Sequence, residues 1–361
     1  MFYHLVYPLH VLYSFLNVFR YITVRAAFAA ITAFAISLLI GKAMIAMLRK
    51  MSVTQVIRED GPKEHLKKKG TPTMGGLIML AAFLGSMLLW GRFDNNYTYI
   101  VLFAAVWFAL IGFLDDYLKL KVGTKGLSAG WKLLMQFAGA FAVVAMYLTF
   151  TDKTFAYTTF LNIPFIKNPV DMPVWLYIVF TMLIIAGWSN AVNFTDGMDG
   201  LASGLSLFVF ATFVVMSYMI GNIKMSEYLL IMHVAKAAEV TVICAAFTGA
   251  ILGFLWFNTY PAEVFMGDIG ALMLGGVIGT IAVLIKQELL LLIVGVIFVA
   301  EVASVILQVC SFKLTGKRIF KMAPLHHHFQ LKGTSEPKII IRFWIAALIV
   351  LLFTLSTLKL R

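Results

Sequence analysis

Charge is scarce in this chain. Only 13% of its 361 residues are Asp, Glu, Lys or Arg, and 61% are hydrophobic, whereas a soluble domain is roughly a quarter charged and about half apolar. That deficit excludes an ordinary soluble fold. Cysteine is almost missing: Cys244 and Cys310 both fall inside apolar runs, so they read as buried small residues, not as a disulfide or a metal pair. The aromatic N-terminal stretch is interrupted by Pro8 and His10 and lacks a basic start followed by a cleavage site. An interfacial segment is therefore expected there, not a removable signal peptide. No low-complexity tract and no internal repeat is visible, which disfavours transporter folds built from inverted repeats.

What the chain does contain is a succession of long apolar runs. A spanning helix needs roughly 20 apolar residues, and such runs occupy 21–48, 74–90, 97–114, 131–150, 174–188, 201–220, 237–257, 269–285, 289–310 and 339–358. They predict an all-α polytopic membrane protein of about ten transmembrane helices, in a single domain over residues 1–361. With alternate loops on opposite faces, the face of the 49–69 loop holds nearly twice as many Lys and Arg as the other. That face is expected to be cytoplasmic, with loops 49–73, 115–130, 189–200, 258–268 and 311–338 inside and both termini outside. In a soluble protein the net charge of +12 would point to nucleic acid. Here the basic loops account for it, and the expected partners are membrane lipid and phosphorylated substrates. On the outer face, residues 154–165 are rich in strand formers and read as a small periplasmic β-hairpin.

Every unusual polar cluster lies in a loop assigned to the inner face by charge alone, which predicts one cytoplasmic-face active-site cleft. The 190–201 stretch places Asn190 and Asn193, then Asp196 and Asp199, three residues apart, so a helical turn puts each pair on one face. Asp115 and Asp116 are adjacent acids where an apolar helix meets water, and a cation or a proton must relieve their repulsion. Lys119, Lys121, Lys125 and Lys132 add positive charge beside them. Asp268 stands at the start of a glycine-rich membrane helix, a few residues after Phe265. Hard carboxylate oxygens, with room for substrate phosphates, point to Mg²⁺. The run from Lys67, Lys68 and Lys69 through Thr71, Pro72 and Thr73 to Gly76 suits phosphate binding at a helix start. His326, His327 and His328 follow Lys313, Lys317, Arg318 and Lys321. Adjacent imidazoles point in different directions and no Cys accompanies them, so anion contact or proton handling is expected, not zinc. Glu301, inside a span, is costly unless paired or turned to a polar cleft.

These motifs, 70–76, 115–116, 190–201, 258–268 and 322–328, make the chain resemble the polyprenyl-phosphate N-acetylhexosamine-1-phosphate transferases along its whole length, and within them the muramoyl-pentapeptide branch marked by the histidine triplet. The resemblance implies transfer of phospho-MurNAc-pentapeptide from UDP-MurNAc-pentapeptide to undecaprenyl phosphate, with Mg²⁺, in the bacterial inner membrane, by a homodimer. It makes Asp268 the foremost metal ligand, and Asp115 and Asp116 acids that position or deprotonate the lipid phosphate, with metal contact. Asp196, Gly197, Phe265 and Lys68 match positions at the uridine end. Asn193 and His326 to His328 lie near the sugar phosphate or nucleoside, with His326 and His327 as catalytic candidates and Thr73 and Lys132 among the substrate contacts. Direct attack on the donor's β-phosphorus and an aspartyl-phosphate intermediate both remain open. The rival readings are a related transferase using UDP-GlcNAc and a membrane transporter or flippase.

Overall fold

The computed structural model describes residues 1–51, 70–122, 126–151, 157–166 and 168–359. Among the described residues, nine helices are long and apolar enough to cross a membrane: α1 (Ile22–Lys50), α3 (Asn96–Val122), α4 (Ala129–Phe150), α5 (Val174–Thr195), α6 (Leu201–Gly221), α8 (Ala237–Asn258), α9 (Gly267–Leu284), α11 (Val296–Thr315) and α13 (Glu336–Ser356). A tenth apolar helix, α2 (Gly76–Trp90), is shorter at 15 residues. The remaining helices are brief: α7 (Ile223–Leu229), α10 (Leu290–Val294) and α12 (Leu325–Leu331). The chain is thus an all-α polytopic membrane protein.

The centre of the bundle is α8 and α9. Every residue of α9 from Ile269 to Leu284 is buried, with α3 and α5 as its main neighbours, while α8 packs chiefly on α1 and α6. Lipid and leucine are equally apolar, so membrane helices associate through close backbone approach and interhelical hydrogen bonds. The α1–α8 contact shows both. Ala29, Ala33, Ser37 and Gly41 recur every four residues on the buried face of α1, and a Cβ at Gly249 of α8 would fall on the backbone of Ala30. The Ser37 hydroxyl donates to Ala250 O at 3.2 Å and Ser86 of α2 donates to Ala29 O at 2.7 Å.

Three sequence expectations are corrected. The run 289–310 is two helices, α10 and α11, broken at Gly295, where the side chain of Trp188 occupies the space a Cβ would need. The outer sheet pairs Phe160 with Asp171 and Leu161 with Val170, so its second strand lies beyond 165, and residues 152–156 fall outside the described residues. Cys244 is buried as expected, but Cys310 is exposed on α11.

α1, α3, α5, α8 and α11 end, and α2, α4, α6, α9 and α13 begin, at one end of the bundle. The opposite end carries both termini: the Met1 amine donates to Leu88 O near the end of α2 at 2.8 Å, and Lys359 Nζ lies 3.3 Å over the Tyr228 ring of α7. Replacing Gly249 by Leu is expected to lower the thermal midpoint of the detergent-solubilised protein, at an overpacking cost of about 1–3 kcal/mol. An unchanged midpoint in fluorescence-monitored unfolding would show that α1 and α8 do not touch there.

Candidate functional site

Loops from five helix junctions meet at the end of the bundle away from the termini. The 70–76 segment is laid against the 258–268 loop by backbone hydrogen bonds: Phe265 N–H donates to Pro72 O (2.8 Å), Gly75 N–H to Phe265 O and Gly76 N–H to Met266 O (2.9 Å each). The α5–α6 junction is fastened to the same loop by Asp199, whose Oδ2 accepts from Ala262 N–H at 3.0 Å, and by Asn258, whose Oδ1 accepts from Gly200 N–H (3.0 Å) and Ser203 Oγ (2.9 Å). Asp199 N–H in turn donates to Glu336 at the start of α13 (3.0 Å).

Within this frame, Asp115 and Asp116 of α3 and Asp268 of α9 offer oxygens that all lie within 4.8 Å of one another. Asp115 and Asp116 are buried. Two lysines supply the counter-charge. Lys119 Nζ lies 2.5 Å from Asp115, 3.0 Å from Asp268 and 3.8 Å from Asp116, and Lys132 Nζ of α4 lies 2.7 Å from Asp268 and 3.8 Å from Asp115. Neutral donors complete the shell: Asn193 Nδ2 donates to Asp268 Oδ1 at 2.8 Å and Leu127 N–H to Asp115 Oδ1 at 2.8 Å. Three carboxylates against two ammonium groups leave excess negative charge, and the oxygens are the hard donors that Mg²⁺ takes. Lys119 already occupies the middle of the cluster, and its side chain is 41% exposed, so it can swing aside. The residues present fit a divalent cation.

Gly267, just before Asp268, has φ +71, a left-handed conformation that costs other residues roughly 1–2 kcal/mol. A Cβ there would stand 2.6 Å from Asp116 Oδ2 and 2.8 Å from Thr73 Oγ1, so the glycine also admits Asp116 and the buried Thr73 beside the start of α9.

Asp196, at the end of α5, is held up to about 8 by burial first and then by the charges of Asp268, Asp116 and Asp199. The shift favours the protonated form, which can donate a hydrogen bond where an ionised carboxylate only accepts. The next residue, Gly197, lies directly against the ring of His326, which is buried in α12. The rings of His326 and His327 have centroids 4.2 Å apart. His328 Nδ1 accepts from Lys321 N–H at 3.1 Å, closing its own loop, and its imidazole is held below the ordinary value by desolvation and by Lys332 and Lys321. Phe265 is half-buried in the 258–268 loop.

The structure separates residues that the spacing grouped. Asn193 belongs to the carboxylate cluster, whereas Asn190 Nδ2 donates to Gln136 of α4 at 2.8 Å and joins two spans. Asp196 feels the charges of the cluster, whereas Asp199 accepts from the 258–268 loop, so Asp115, Asp116 and Asp268 are the acids grouped closely enough to hold a cation. Lys68 lies outside the described residues.

The model of the glycosyl transferase family 4 matches residues 98–286, the stretch from α3 to the end of α9 that holds all three acids. Over their full lengths, phospho-N-acetylmuramoyl-pentapeptide-transferases of Desulfotalea psychrophila and Thermodesulfovibrio yellowstonii are each 50% identical to the chain, and that of Syntrophus aciditrophicus is 49% identical. The chain belongs to the phospho-N-acetylmuramoyl-pentapeptide-transferase family.

Two residues of this transferase were underweighted from sequence. Lys119 stands four residues after Asp115 and three after Asp116, a helical spacing that pairs them, and that spacing was available as a signal. Gln136 is a polar residue one turn beyond Lys132 in an otherwise apolar span, a pattern that marks an interhelical contact. Gly267→Ala is expected to lower transferase turnover by about a hundredfold, the cost of an ångström-scale displacement of reacting groups. Wild-type turnover in that variant would show that the close packing of Asp116 and Thr73 on residue 267 is not required.

Proposed function

We infer that this protein transfers phospho-N-acetylmuramoyl-pentapeptide from UDP-MurNAc-pentapeptide to undecaprenyl phosphate, releasing UMP and leaving lipid I in the membrane as a step of peptidoglycan synthesis. The observation that carries this reading is the Asp115–Asp116–Asp268 cluster, held by Lys119 and Lys132 at the ends of membrane-spanning helices. A lipid acceptor reaches such a place from the bilayer and a nucleotide donor from the water.

Mg²⁺ is the ion assigned to the three carboxylates, and when bound it would act as a Lewis acid on the donor diphosphate. The chain's own residues do the rest. Lys132, bridging Asp268 and Asn193, presents positive charge to the phosphates, and Thr73 adds a hydroxyl. Asp196, together with Gly197, Phe265 and Lys68, takes the uridine end. Asn193, His326, His327 and His328 flank the sugar phosphate or nucleoside. An oxygen of the lipid phosphate attacks the β-phosphorus, the bond from that phosphorus to the oxygen of the α-phosphate breaks, and UMP leaves with the electron pair. The attacking monoester is already anionic near neutral pH and needs no strong base. Direct attack is favoured over an aspartyl-phosphate because Asp115 and Asp268 are already engaged by ammonium and N–H donors, which lowers their nucleophilicity.

The reading includes the site face toward the cytoplasm, both termini outside, one domain and a homodimer, in a bacterial inner membrane. Its orientation is supported by the excess of Lys and Arg on the loops of the site face. Asp268→Asn is expected to abolish Mg²⁺-dependent UMP release while the protein remains folded by its thermal profile. Near-normal turnover would remove the metal role. For orientation, single cysteines replacing Arg318 and Tyr228 are introduced into a Cys310→Ser background in intact cells. An impermeant thiol reagent is expected to label position 228 and to spare 318, and the reverse pattern would invert the topology.

A further inference from the structure

Glu301 lies wholly buried in α11, six residues past the break at Gly295. Phe298, one turn earlier, meets Trp188 of α5 edge-on with centroids 5.9 Å apart. Both helices run toward the site face, so Glu301 sits on the site side of that contact. A carboxylate inside a span is costly unless it has a partner. The partner is His326. Its backbone N–H donates to Glu301 Oε1 at 3.2 Å, and its Nδ1 lies 3.3 Å from Glu301 Oε2. Among the described residues, Nδ1, Nε2 and Glu301 Oε2 are all buried without a hydrogen bond, so Nδ1 and Oε2 meet as a close charge contact, while Nε2 abuts Gly197, where there is room for the ring only because residue 197 has no side chain. The neighbour of Gly197 is Asp196, which feels the charges of Asp116 and Asp268. One carboxylate thus holds the first turn of α12 by a hydrogen bond and lies against the ring that seats the 196–197 corner.

We propose that Glu301 is a positioning residue of the transfer reaction: it anchors His326 with Nδ1 toward the carboxylate and leaves Nε2 as the ring nitrogen turned to the donor-binding corner at Gly197. A carboxylate beside one imidazole nitrogen sets which nitrogen carries the proton and so what the other can offer. The inference rests on the transfer activity inferred above and adds to it a residue that touches no substrate.

The test uses the full-length protein in detergent with UDP-MurNAc-pentapeptide, undecaprenyl phosphate and Mg²⁺, following UMP release for wild type, Glu301→Gln, His326→Ala and the double variant. Glu301→Gln is expected to lower kcat by about tenfold to a hundredfold, the range seen when a supporting partner of a functional histidine is lost. The double variant is expected to be no slower than His326→Ala alone, because Glu301 acts through that ring. Losses that multiply would assign Glu301 a separate structural role and overturn the proposal, as would wild-type kcat in Glu301→Gln. Glu301→Asp, which keeps the charge but withdraws it by one methylene, covers the case in which Glu301→Gln does not fold. It is expected to fold and lose a smaller part of kcat, and wild-type kcat there overturns the proposal as well. Wild-type protein that releases no UMP overturns the transferase reading itself, a result distinct from an active wild type with an indifferent residue 301.

Discussion

Three carboxylates crowded at the ends of apolar helices are the constraint around which this protein is built. Two like charges about 4 Å apart at an effective dielectric of 20 repel by roughly 4 kcal/mol, and a whole domain is stable by only about 5–15 kcal/mol. Asp115, Asp116 and Asp268 therefore need Lys119 and Lys132 in order to stand together. The same excess of negative charge makes the place attractive to a divalent ion, and the lysines that relieve it are the groups best placed to meet phosphate oxygens. Stability and chemistry are served by the same ion pairs.

Holding that cluster requires helices that are far apart in sequence to stop at the same level. Small-residue faces set the depth of contact, as along Ala29, Ala33, Ser37 and Gly41 of α1. Polar side chains inside the spans set the rotation: Gln136 with Ser189 and Asn190 ties α4 to α5, placing Lys132 and Asn193, each about one turn nearer the site end of its helix, beside Asp268. Asn258 and Asp199 act similarly on the loop that leads into α9. Each of these groups would be unfavourable in hydrocarbon alone, so pairing gives their geometry little freedom.

The opposite face carries buried charge of another kind. The two arms of Arg25 reach Glu239 at 2.6 Å each, joining α1 to α8. Between α9 and α10, Lys286 and Glu288 are fully buried. Lys286 Nζ donates to Thr158 O (3.0 Å) and Tyr177 Oη (2.9 Å), and Tyr177 donates to Glu288 (3.1 Å). Burial holds Lys286 below and Glu288 above their ordinary values, and the two side chains oppose that shift by standing 3.5 Å apart. This knot fastens the 157–166 segment to the bundle, and its members share no helix face, so no periodicity marks it.

By itself the sequence determined the class, the approximate limits of most of the spans, and the loops in which the polar clusters lie, because hydrophobic length and loop composition are local quantities that survive in one dimension. It also named Asp115, Asp116, Asp268, Asn193 and Lys132, since charged and amide groups at the edge of a membrane helix are costly wherever the helix goes. The tertiary structure alone decided that Asp199 and Asn190 fasten loops and spans while Asp196 and Asn193 face the cluster. It alone decided that α10 and α11 part at Gly295, and that Glu301 and His326 meet. Those outcomes depend on which side chain arrives from another helix, and spacing along one helix carries no record of that arrival.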